Sequence, residues 1–145
     1  MNITYGEGER QKIDIYGDQL PSNAPLFIFI HGGYWQENDK DHSAFVVQPF
    51  VKKGIRCLVV GYDLCPSVTL EVITKQIQEC FTWIASYVRE KEVKKIAIAG
   101  HSAGAHLLSF AISELFLTML PQDVQIDAFF LSGVFFLNEL RHLKA

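Results

Sequence analysis

Little in this 145-residue chain ties it to nucleic acid, a metal or a membrane. Its 13 lysines and arginines are outnumbered by 16 aspartates and glutamates, so it lacks the positive footprint of a nucleic-acid-binding surface. Three cysteines, Cys57, Cys65 and Cys80, are odd in number and have no CxxC spacing. They read as reduced thiols in a cytoplasmic protein, not as a disulfide framework or a zinc site. There is no P-loop and no run of His, Cys and Glu at ligand spacing, so no metal or other cofactor is expected. The opening "MNITYGEGER" is polar and acidic, unlike a signal peptide. The most apolar long run, "AGAHLLSFAISELFLTML", is interrupted by His106, Ser109, Ser113 and Glu114, and reads as a buried helix instead of a membrane span. Internal repeats, low-complexity tracts and long linkers are also missing.

What is present is a globular composition, 49% hydrophobic and 20% charged, at a length suited to one domain. "QKIDIYG" alternates Ile13 and Ile15 with polar neighbours, the pattern of a half-buried strand. "LFIFI" (26–30), "IRCLVVGY" (55–62), "KIAIAG" (95–100) and "IDAFFLSG" (126–133) are short apolar runs of the kind covered on both faces of a sheet. Between them lie helical patterns. "SAFVVQPFVKK" stops at Gly54 and has Pro49 as its weak point. The stretch from Leu70 to about Arg89 is capped by Thr69 and keeps Leu70, Ile73, Ile77, Phe81, Ile84 and Val88 on one stripe. "AGAHLLSFAISELFL" predicts one continuous central helix. Strands alternating with helices imply an α/β fold, a mostly parallel sheet with helices on both faces, whose ligands sit at the carboxyl ends of the strands.

Two motifs fall at those ends. Gly100-His101-Ser102-Ala103-Gly104 fits G-x-S-x-G between a strand and a long apolar helix. Such a turn exposes the serine oxygen above the sheet, while flanking glycines let strand and helix close together and the next N–H, that of Ala103, faces the reacting carbonyl. His31-Gly32-Gly33-Tyr34-Trp35 follows "LFIFI", where a glycine-rich loop supplies the second oxyanion-hole N–H from Gly32 or Gly33. His31 reads as structural. Tyr34 and Trp35 either meet the substrate or pack the loop onto the domain.

HGGYW, "GYDLCPSVTL", GHSAGAHL and "LSGVFFLNEL" together resemble the kynurenine formamidase (arylformamidase) branch of the α/β-hydrolase fold, from about Tyr5 to Leu140. The resemblance implies hydrolysis of the small molecule N-formylkynurenine, or a similar aryl formamide, to the amine and formate, with Ser102 as nucleophile. A carboxylesterase or lipase of the HGGG type and a non-catalytic module are the competing readings. Nothing points to nucleic acid or membrane as a partner.

A serine needs a base. In this fold the acid and then the histidine follow the serine. His101 is expected to be packed in support of the turn, and His106, one helical turn on, faces the wrong way. His142 has the right chain order, after Asp123, Asp127 or Glu139, but lies in a short polar tail. Domains of this kind commonly run to roughly 200–250 residues. Residues 1–145 are therefore expected to form a partial domain, with the serine-bearing half present and the C-terminal part, with the base, missing. "IDAFFLSG" would then be an open apolar edge suited to pairing with another chain, a homodimer included.

Overall fold

The computed structural model describes residues 2–112 and 114–133. The strands are β1 (Asn2–Thr4), β2 (Lys12–Tyr16), β3 (Leu26–Ile30), β4 (Arg56–Val60), β5 (Lys95–His101) and β6 (Gln125–Ser132). The helices are α1 (Ala44–Val51), α2 (Leu70–Glu90), α3 (Ala103–Ala111) and α4 (Glu114–Met119), with a 3-10 turn at Asp41–Ser43 before α1. The strands form one sheet in the order β1-β2-β4-β3-β5-β6. β1, β2 and β4 run antiparallel to one another in turn, and β4, β3, β5 and β6 are parallel.

Strand side chains alternate between the two faces. Leu26, Ile28 and Ile30 of β3 join Leu58 and Val60 of β4 and Ile96 and Ile98 of β5 in the larger cluster, closed by Ile73, Ile77, Phe81 and Ile84 of α2 and Leu107 and Leu108 of α3. Their neighbours Phe27, Cys57, Val59 and Ala99 form a smaller cluster under Val47 of α1. Apolar runs on β3 and β4 are thus explained by burial on both sides. Thr69 caps α2 by accepting the Val72 N–H at 3.4 Å, and Gly54 ends the turn after α1 at φ +78°.

Two features differ from the sequence reading. The expected single helix from Ala103 to Leu117 is split. Ile112, with ψ 79°, leaves the helical region after α3. One turn earlier the Ser109 hydroxyl donates to the His106 carbonyl at 2.6 Å and competes for it, as mid-helix serines do. The polar N-terminus also carries β1, a three-residue strand too short to show a period. No helix among the described residues is long and apolar enough to cross a membrane.

Candidate active site

β3 and β5 are neighbours, yet the chain reaches β5 from β3 only by passing through β4. It leaves β3 by α1 on one face and returns from β4 by α2 on the other. The direction of winding therefore reverses between β3 and β5, and the loops leaving their carboxyl ends border a crevice. Those two loops are the two sequence motifs.

At the end of β5 the chain passes into α3 through a single residue. Ser102 has φ 51° and ψ −118°, a conformation that costs a non-glycine residue on the order of 1–3 kcal/mol. Its N–H donates to the Ser132 carbonyl of β6 at 2.6 Å, and its own carbonyl accepts the His106 N–H at 3.1 Å. Gly100 and Gly104 are required by contact. A Cβ at Gly100 would lie 2.7 Å from the Ala105 Cα, and one at Gly104 would lie 2.2 Å from the Ile30 carbonyl oxygen and 2.4 Å from that of His31. Ala103 is the first residue of α3, so its N–H has no acceptor one turn earlier in the helix and faces outward at the positive end of the helix dipole.

The loop after β3 lies directly against this turn. A Cβ on Gly32 would be 2.6 Å from the His101 carbonyl oxygen and 3.0 Å from the Ser102 Cβ. Gly33 has φ 122°, and Tyr34 and Trp35 follow at φ 51° and 60°. The Gly33 carbonyl accepts the N–H groups of Gln36 and Glu37 at 2.9 Å each, and the Trp35 carbonyl accepts that of Cys65 at 2.7 Å. Further along, Asp39 pairs with Arg10 at 3.0 Å, and Lys40 with Asp14 at 2.7 Å, the latter two side chains each only 12% exposed. This left-handed bend is thus tied on both sides to β2 and to the segment after β4.

The two aromatic residues of the loop part company. Trp35 packs against the larger core cluster, its ring edge-on to His106 with centroids 5.2 Å apart. Tyr34 is 66% exposed. His31 is 1% exposed and stacks on Tyr62 with centroids 4.4 Å apart and planes 11° from parallel. Its Nδ1 lies 2.8 Å from the Gly32 carbonyl oxygen. A carbonyl only accepts, so Nδ1 carries the proton. Burial holds the imidazoles of His31 and His106 below the ordinary histidine range, and both are neutral at pH 7.

The described histidines and acids leave Ser102 without a hydrogen-bonded base. His106 is boxed between Trp35 and Phe110. His101 is exposed, not packed as expected. It shares the face of Ala97 and Ala99, and at its end of β5 that face extends past the cluster beneath α1. Asp123 precedes β6 at the opposite end of the sheet and pairs with Lys94. Asp127 sits beside the Ile96/Ala97 bulge, also away from the carboxyl ends. His142, Glu139 and the matched stretch from residue 134 to 140 lie outside the described residues. Among the described residues no three His, Cys, Asp or Glu side chains gather as metal ligands.

A serine on a strained strand-to-helix turn, faced by a glycine loop at the winding reversal of a mostly parallel sheet, defines an α/β-hydrolase fold. Esterase B from Lactobacillus rhamnosis shares it, with a TM-score of 0.68 at 21% identity over 89% of this chain and 44% of that one. The chain belongs to the BD-FAE family, whose model matches residues 13–125. It is 41% identical to kynurenine formamidase of Drosophila melanogaster over 99% of its own length and 48% of the relative's. Against kynurenine formamidase of Danio rerio the figures are 33%, 97% and 47%. The chain thus spans about half the length of the curated relatives it matches.

Gly104→Ala drives a Cβ into backbone and is expected to cost about 3 kcal/mol or more, whereas Gly54→Ala, left-handed at φ +78° but in open space, costs about 1–2 kcal/mol. Urea denaturation of the two variants checks this, and equal losses would count against the close approach. His31 and His106 have folded-state pKa values below their unfolded ones, so the unfolded chain binds more protons and stability falls as pH drops below about 6.5. Each site adds at most about 1.4 kcal/mol per pH unit to that slope. Denaturation between pH 7.5 and 5 should show His106→Phe with a shallower loss than the parent.

Proposed function

We propose that residues 1–145 supply the nucleophile and oxyanion-hole half of a kynurenine formamidase-type serine hydrolase domain. The observation that carries this reading is the contact between the Gly32 loop and Ser102, which supports candidate N–H donors beside a half-buried serine. The likeness to kynurenine formamidases over almost the whole chain supports a formyl group on an aromatic amine as the substrate class. In this reading Ser102 attacks the formyl carbon of N-formyl-L-kynurenine as a base takes its proton. The oxyanion is received by the N–H of Ala103 and those of Gly32 and Gly33. Collapse breaks the C–N bond, the base returns the proton to the departing amine, and L-kynurenine leaves. Water then attacks the formyl-serine and releases formate. Tyr34, exposed on the same loop, is the aromatic side chain available to the substrate ring, while Trp35 is committed to packing.

The test joins this chain to the half of the Drosophila kynurenine formamidase that it does not match. The chimera is expected to release kynurenine from N-formylkynurenine, to lose this with Ser102→Ala, and to prefer the formamide to p-nitrophenyl acetate at least tenfold in kcat/KM. Preference for the ester would favour a general carboxylesterase. The 145-residue chain alone, with no base at Ser102 among the described residues, is expected to show no turnover above its Ser102→Ala control. Formamidase rates from it would place the base within this chain.

A further inference from the structure

We infer that Tyr62 and His31 are positioning residues that aim the N–H groups of Gly32 and Gly33 at the oxyanion, each by holding the carbonyl on the far side of one peptide plane. This rests on the hydrolase reading above and adds to it the side chains that set the hole.

In a planar trans peptide the carbonyl of one residue and the N–H of the next point in opposite directions, so fixing one direction fixes the other. The Tyr62 hydroxyl donates to the His31 carbonyl at 2.9 Å. That bond orients the plane containing the Gly32 N–H. The His31 Nδ1–H donates to the Gly32 carbonyl at 2.8 Å, and orients the plane containing the Gly33 N–H. On the other side of the crevice the same task is done by the helix itself, because the Ser102 carbonyl accepts from His106 and turns the Ala103 N–H outward. The loop has no helix to do this. Two successive glycines also give it little steric resistance to a peptide flip, so the side-chain donors must supply the constraint.

The donors are themselves held. Tyr62 is fully buried and its ring lies flat on the His31 imidazole. The peptide leading into Tyr62 is pinned by the Tyr5 hydroxyl, which donates to the Gly61 carbonyl at 2.7 Å. Burial keeps the Tyr62 phenol protonated, and therefore a donor. The His31 carbonyl also lies where a Gly104 Cβ would be, so the oriented plane abuts the first turn of α3.

The experiment uses three variants. Tyr62→Phe keeps the stacked ring and loses the hydroxyl. His31→Leu loses the ring donor, and His31→Asn keeps a donor near the Nδ1 position. In amide NMR spectra of the 145-residue chain, Tyr62→Phe is expected to shift and broaden Gly32 while leaving Ala103 unchanged. His31→Leu should do the same to Gly33, with recovery in His31→Asn. In the chimera described above, Tyr62→Phe and His31→Leu should lower kcat at least tenfold with KM within about twofold, since loss of an oxyanion donor outright costs about 10²–10³ in kcat. Unchanged Gly32 and Gly33 amides in Tyr62→Phe, or a raised KM at unchanged kcat, would overturn the assignment and leave only a packing role. Should His31→Leu fail to fold, Tyr62→Phe decides alone. A parent chimera without turnover would remove the hydrolase reading and leave the amide result standing.

Discussion

The carbonyl oxygens of Ile30 and His31 occupy the space in which residue 104 would carry a side chain. That contact sets the distance between the end of β3 and the start of α3, and the site is organised around it. With α3 pressed this close, the chain has one residue in which to leave β5, so Ser102 is forced into its unfavourable conformation. The opposing gain comes from α3, which buries Ala105, Leu107, Leu108 and Ala111 and fixes the serine by packing. Burying a leucine is worth roughly 1.5–3 kcal/mol, enough to offset a local backbone cost of the same size.

The described cations along the tether of the glycine loop are paired. Arg10 and Lys40, the cations nearest the glycine loop along its tether, are occupied by Asp39 and by Asp14 and Asp41. His31 and His106 are neutral. In the proposed reading the groups that receive the oxyanion are backbone dipoles, which keep their direction without the counter-charge or solvent shell a lysine would bring. Fixed dipoles of this kind need no reorganisation when negative charge develops, which is the source of their effect on a barrier. If Tyr62 and His31 set their direction as proposed, the core and the chemistry are continuous here.

The parts of the fold that show in the sequence are those with a period or a contact rule. β3 and β4 read as apolar runs because both faces are covered, and α2 reads from its stripe and its Thr69 cap. Ser102, Gly100 and Gly104 are legible because a close backbone approach admits only glycine. The parts that do not show depend on distant partners. Tyr62 looks like any aromatic at a strand end until the His31 carbonyl is found 2.9 Å away, and Tyr5 gives no hint of Gly61. His101, expected to be packed, is exposed, because cover at the last residue of a strand depends on how far the helix beyond the sheet extends. The break between α3 and α4 escaped because the polar residues of the run are compatible with a helix, and no period marks the point where Ile112 leaves it.

The cysteines, set aside at the outset as ordinary thiols, differ sharply in their surroundings. Cys57 and Cys80 are enclosed in the two cores, and burial pushes the first up to about 12 and the second well above its usual value. Neither offers a thiolate near neutral pH. Cys65 is half-buried, and its N–H holds the Trp35 carbonyl at the end of the glycine loop. An alkylating reagent therefore reaches the chain first at a point one hydrogen bond from the loop. The native sequence so carries a place for a fluorophore or spin label that senses the order of that loop, without any engineered cysteine.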